Sequence, residues 1–172
     1  IFDNFDSLKI NKETAIKINR ILTEKLVPEE KRGNYLYRPT TPYPRKRSDP
    51  LILNGPEKFY SWLESEEGVK LSRNSPIEFA ESIHNTIVAL DSFPDGNGRL
   101  SRLFSDLALM KAGMPPALYS DMNDYFRRGN ALSKVSRSAR LDYYEEIVEN
   151  GRKMFYQEID SNISSGHTNS QR

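Results

Sequence analysis

The chain has 172 residues, of which 37% are hydrophobic and 28% charged, with a formal net charge of +1 and no cysteine. That length suits one domain able to bury its own core, and the lack of cysteine excludes a disulfide framework, a thiol nucleophile and a thiolate metal site. A near-neutral charge gives no overall pull toward nucleic acid, and no apolar run approaches the roughly twenty residues of a membrane span. No signal-like segment is present, so the expected location is the cytoplasm, or a host cell reached by a secretion route that no signal peptide in this chain marks.

In chain order, Asn11 is placed to cap a first helix, whose apolar positions Ala15, Ile18, Ile21, Leu22 and Leu26 keep helical spacing until Pro28. From Glu29 to Gly55 the periodicity is lost. This stretch is expected to be a long irregular loop or small hairpin, with a short strand near Tyr35 to Tyr37 and a solvated basic run at Arg45, Lys46 and Arg47. Helical spacing resumes at Pro56 and carries Phe59, Trp62 and Leu63, stopping at Gly68. The sequence SPIE then predicts a capping box, with Ser75 as cap and Glu78 closing it, ahead of a stripe of Ile77, Ala80, Ile83, Ile87 and Leu90. Leu100, Leu103, Phe104, Leu107 and Ala108 mark the next helix, closed by Gly113 and the Pro115–Pro116 pair. A shorter helix is expected over Met122 to Arg128 and a long one from about Arg137 to Ile159, before a polar, frayed tail from 164 to 172. The fold class is all-α, as a single domain over 1–163.

Between two of these helices lies DSFPDGNGRL, Asp91 to Leu100. Gly96 and Gly98 flank Asn97, which lets the backbone adopt unusual conformations and approach a ligand closely. Successive amides in such a turn make a concave anion site, and the following helix adds its unpaired N–H groups and positive dipole end. That helix opens with two cations, Arg99 and Arg102, against the dipole rule, and such violations tend to sit at functional sites. A bound anion reverses the penalty. Two arginines a turn apart suit a polyphosphate, and Asp95 is a hard oxygen ligand suited to phosphate-bound Mg²⁺. A calcium loop in this register would put Phe93 and Phe104 at ligand positions, so the EF-hand reading fails, and no phosphate-binding P-loop pattern is present.

FPDGNGRLSR resembles the signature of the Fic (Fic/Doc) family, His-Pro-Phe-x-Asp/Glu-Gly-Asn-Gly-Arg-x-x-Arg. The likeness extends to the apolar helix ending at Leu90, to LALMKAGMPP and to RLDYYEEI, and so covers roughly Pro56 to Val148. Members of that family are helical proteins that mostly transfer AMP from ATP onto a Ser, Thr or Tyr hydroxyl of a target protein, while some transfer phosphate or phosphocholine. The resemblance implies that Asp95 holds Mg²⁺, and that Asn97 and the turn amides of Gly96 and Gly98 hold the α-phosphate. Arg99 and Arg102 then hold the outer phosphates, and Phe93 anchors the loop.

The family's catalytic histidine falls at Asp91 and its usual proline at Ser92, which makes Asp91 the candidate base. The family's target-docking hairpin would fall within Tyr35 to Leu53, where no clear match stands. The family's inhibitory pattern, Ser/Thr-x-x-x-Glu, is absent, so self-inhibition by that device is not expected and a separate inhibitor protein is an open partner. His84 lies about 11 Å of helix before Asp91, too far to serve as a direct substitute, and is expected to be a hydrogen-bonded core residue. His167 in the tail is incidental. Tyr143 and Tyr144 are expected to pack, with an adenine contact left open, and Asp106 either orients Arg102 or forms a solvated pair with it. Three functions compete: Mg²⁺-dependent transfer of AMP, with ATP as donor, or of another phosphate-linked group onto a protein hydroxyl; a Fic-like module that holds a nucleotide or only a partner protein and has lost chemistry at Asp91; and a divergent member using a different phosphate-bearing donor.

Overall fold

A computed structural model describes residues 7–35, 55–130 and 135–166, with side chains described up to 157. Among the described residues every regular element is helical. In chain order these are α1 (Lys12–Leu22), a 3₁₀ turn (Glu29–Lys31), α2 (Gly55–Leu63), α3 (Glu66–Asn74), α4 (Pro76–Leu90), α5 (Asn97–Lys111), α6 (Met122–Asp124) with a π-helical turn after it (Tyr125–Gly129), and α7 (Arg137–Gly166).

α4 is the axis of the fold. Its residues from Phe79 to Ile87 are all buried, because α5, α3, α7 and α2 pack around it. The apolar stripe read from the sequence supplies Ala80, Ile83, Ile87 and Leu90, each at most 3% exposed, against Leu100, Phe104 and Leu109 of α5. A helix enclosed on so many sides must also bury polar residues, among them Glu81, Ser82, His84, Asn85 and Thr86. Glu81 is held by Arg140 (3.3 Å) and Arg137 (3.9 Å), which tie α4 to α7, and by Asn85 (2.8 Å) of its own helix. Burial pushes its carboxyl above the usual carboxylate range, opposed by the two arginines.

Local chemistry moves several boundaries. α1 ends at Leu22, not near Pro28, because the Thr23 hydroxyl turns back to the Asn19 carbonyl (2.8 Å) and Arg99 takes the Leu22 carbonyl (3.0 Å). Ile21 and Leu26, expected on the buried face, are 71% and 53% exposed. Gly68 does not stop a helix. It lies in the first turn of α3, where its amide donates to the N-cap hydroxyl of Ser65 (3.2 Å), the signal that separates α2 from α3. The capping box at Ser75 does not form: Ser75 makes no side-chain cap, and Glu78 instead accepts from Arg137 (2.9 Å). α7 continues to Gly166, beyond the expected end near Ile159. The expected strand beyond Tyr35, the basic run at 45–47, the docking hairpin and His167 lie outside the described residues. Among the described residues no helix is long and apolar enough to cross a membrane.

Candidate active site

α4 ends and α5 begins through a turn whose geometry is set by two residues in the left-handed region. Asp91 takes φ 46°, ψ 51° as its amide closes on the Ile87 carbonyl (3.2 Å), and it is the non-glycine residue with positive φ among those described. Aspartate tolerates this region better than most side chains, which is the local reason α4 can stop there. Gly96, at φ 84°, ψ 0°, reverses the chain into α5. A Cβ at Gly96 would stand 2.8 Å from the Asn19 amide nitrogen and 3.0 Å from a Thr23 methyl, so both backbone angle and space require glycine.

The half of the turn from Asp91 to Asn97 is closed upon itself. Asn97, 9% exposed, donates to the Asp91 carboxylate (2.8 Å) and the Phe93 carbonyl (2.8 Å), and its side-chain oxygen accepts the Phe93 amide (3.1 Å). Phe93 is buried and meets Tyr35 edge-on, with ring centroids 5.4 Å apart. Asp95 is exposed, accepts from the Gly96 amide (2.5 Å), and pairs with Arg99 (3.2 Å).

The half that follows is open. The N-cap of α5 is Gly96, so no side chain of the cap residue bonds the first amides of the helix, and no acidic residue sits in its first turn. Gly98 is an ordinary helical residue, not a strained one, and a Cβ there would meet only the Arg102 guanidinium, at 3.7 Å. The two arginines differ in their engagement. Arg99 bonds the Leu22 carbonyl and Asp95, whereas Arg102 lies 5.9 Å from the centre of the Tyr125 ring and has no carboxylate within ion-pairing distance among the described residues. Asp106 does not supply one: its carboxylate accepts the Ala117 amide (3.0 Å) and secures the chain after the proline pair. Burial pushes Asp106 up to about 6, with the Ala117 bond and the Arg102 charge opposing.

Beneath Arg102 sits a buried polar floor. His84 is fully buried and its Nε2 shares a hydrogen bond with the Tyr125 hydroxyl (2.8 Å), which also accepts from Asn130 (3.1 Å). Burial, reinforced by the Arg102 charge, pushes His84 down to about 3, so it is neutral at physiological pH. Tyr143 and Tyr144 are buried packing residues, the latter sharing a hydrogen bond with Tyr119 (3.0 Å).

The turn therefore brings Asp91, Phe93, Asp95, Gly96, Asn97, Gly98, Arg99 and Arg102 to one helix junction, as the sequence spacing predicts. Two supporting residues escaped the sequence reading. Asn19 on α1 donates to the Asp95 carbonyl (2.8 Å), and Tyr125 lies under Arg102. Asn19 did leave a signal, a polar residue one turn after Ala15 on the face that α1 buries; Tyr125 left none.

Three comparisons bear on the identity of this junction. A stretch of 62 residues is 45% identical to the uridine 5'-monophosphate transferase of Xanthomonas campestris pv. campestris (strain 8004), covering 35% of this chain and 12% of that protein. Over 70 residues it is 41% identical to the protein adenylyltransferase Fic of Nematostella vectensis, covering 40% of this chain and 16% of that one. The chain thus spans only a small part of the curated relatives it matches. The fold is similar to the solved structure of Fic-1 from C. elegans, with a TM-score of 0.64 at 22% identity over 91% of this chain and 45% of that one. The sequence pattern of the Fic/DOC family matches residues 9–109, more than half of the chain and the whole of the turn with nearly all of the two helices that frame it, and the chain belongs to that family.

Proposed function

We propose that the chain is a Fic-type protein nucleotidyltransferase, moving AMP or another phosphate-linked group from a nucleotide to a Ser, Thr or Tyr hydroxyl of a target protein. The observation that carries this reading is the open half of the turn: among the described residues, an uncapped helix start, free space before Gly98 and an arginine without a carboxylate partner. An anion there bonds the free helix amides, accords with the dipole and balances the cations. The names of the relatives, one a uridine monophosphate transferase and one an adenylyltransferase, support the transferase class and leave the nucleotide open between them.

ATP with Mg²⁺ fits this donor set. Mg²⁺ would be held by a single carboxylate, the exposed Asp95, together with substrate phosphates. The amides of Asn97 and Gly98 would hold the α-phosphate, the Asn97 side chain being committed within the turn. Arg99 and Arg102 would hold the outer phosphates. Asp91, at the position of the family's histidine, would accept the proton of the attacking hydroxyl through the carboxylate oxygen that Asn97 does not engage.

A second reading, a Fic-like module that binds nucleotide or protein without transfer, is favoured by one observation. The Asp91 carboxylate already serves to hold the turn closed through Asn97. Incubation with labelled ATP and cell lysate, with and without Mg²⁺, separates the two. Mg²⁺-dependent label on a protein supports transfer. A rise in melting temperature with MgATP but no label supports the module. Neither label nor thermal shift contradicts both.

A further inference from the structure

We propose that Asn19 is a positioning residue for the turn: it sets the Asp95–Gly96 peptide, and with it the start of α5, from the neighbouring helix. Asn19 is 1% exposed on the face of α1 that packs against α5. Its side-chain nitrogen donates to the Asp95 carbonyl (2.8 Å), and its side-chain oxygen accepts the Gly33 amide (3.3 Å). A carbonyl only accepts and an amide N–H only donates, so these partners fix which way the Asn19 amide faces. The same nitrogen stands where a Cβ on Gly96 would come, and the Thr23 hydroxyl holds the Asn19 carbonyl. Gly33 lies so close to α1 that a Cβ would reach the Ile16 carbonyl at 2.9 Å.

One buried amide thus spans two loops far apart in sequence, and only a side chain with both a donor and an acceptor at this length satisfies them. Asp95 carries the candidate metal ligand and Gly96 begins the helix whose amides face the anion. Moving their shared peptide therefore moves both. Asn19 touches no substrate atom, and it acts through the turn.

For its binding consequence, though not for its geometry, this inference rests on the phosphate-site reading. The test accordingly has two readouts, amide hydrogen exchange and MgATP affinity, on the native chain and on Asn19→Asp, Asn19→Ala and Ile83→Val. Asp at 19 keeps the acceptor for Gly33 and sets an oxygen against the Asp95 carbonyl, while Ile83→Val trims the core away from the turn. Asn19→Asp is expected to speed exchange at Gly96 and Leu100 about tenfold or more while α4 amides keep their native rates, and to weaken MgATP about tenfold. Ile83→Val is expected to speed exchange broadly and leave MgATP affinity unchanged. Should Asn19→Asp fail to fold, Asn19→Ala gives the same local pattern more weakly. Native exchange at Gly96 in the folded variants, or a uniform increase like that of Ile83→Val, overturns the inference. Absent ATP binding by the native chain, with the local exchange pattern intact, sinks the nucleotide reading and leaves the positioning role standing.

Discussion

The two halves of the turn that joins α4 to α5 are built to opposite rules. From Asp91 to Asn97 the turn is closed: the Asn97 amide makes its bonds to Asp91 and Phe93, and Asn19 and Phe93 fasten the turn to the body of the protein. From Gly98 to Arg102 little is closed among the described residues, with free helix amides, no cap and an arginine that faces an aromatic ring instead of a carboxylate. If the open half receives an anion, as proposed above, the contrast says how a rigid site for it would be made. The fixed half holds the backbone in place, so that the open half presents its donors without reorganising when a charged group arrives.

The largest effect comes from exchanging the two glycines that bound these halves. Gly96→Ala puts a side chain at φ 84° and against Asn19, and is expected to lower stability by about 1–3 kcal/mol from backbone strain, before the contact is counted. Gly98→Ala lies in the helix with space around it, and is expected to leave stability unchanged or raise it by up to about 1 kcal/mol, while weakening MgATP binding. Denaturant titration with nucleotide calorimetry on both variants reads the contrast. If Gly98→Ala is as destabilising as Gly96→Ala, the second half is not open.

Asp91 stands at the boundary, and its side chain can be changed without moving the backbone. Histidine, like aspartate, is enriched in the left-handed region, so Asp91→His fits φ 46°. A positioned general base contributes about 10²–10⁴-fold, and imidazole is the stronger base. Asp91→His is therefore expected to raise transfer by at least about tenfold with little change in ATP affinity. Asp91→Asn keeps the conformation and an acceptor for Asn97 but lacks a base, and is expected to abolish transfer. Equal activity in Asn and Asp proteins, by labelled-ATP assay, would remove Asp91 from the chemistry.

A smaller effect sharpens the role of the floor beneath Arg102. His84 is depressed to about 3 in the folded protein, so below its ordinary value near 6.5 the unfolded chain binds a proton that the native one does not. Stability present above 6.5 is then lost as pH falls toward 3, at no more than about 1.4 kcal/mol per pH unit from this one group. Asp106, raised to about 6, acts in the opposite sense: its contribution is full below its ordinary value of 3.8 and is lost as pH rises through 6. In His84→Gln, melting temperature measured from pH 7 to pH 4 is expected to start lower and fall less steeply than in the native chain.

Much of this was legible before the fold. Apolar spacing located the helices, and glycine, asparagine and arginine at close spacing located the turn, because both signals are local. Gly98 illustrates the limit: its residue type does not reveal that Gly96 alone takes the strained conformation. Asn19 lies far from the turn in sequence, and only the packing of α1 on α5 brings it there. The stop of α1 depends in the same way on Arg99, which no local pattern on α1 announces. Glu78, in turn, left its predicted cap because Arg137, distant in sequence, is the stronger partner.

The most direct test is the binding of ATP and AMP, each with Mg²⁺, to the native chain and to Arg102→Ala. If the open half holds a polyphosphate with Arg102 on its outer phosphates, the variant loses about tenfold or more in ATP affinity and little for AMP. Equal losses for both nucleotides, or ATP binding that the variant leaves untouched, would contradict the account.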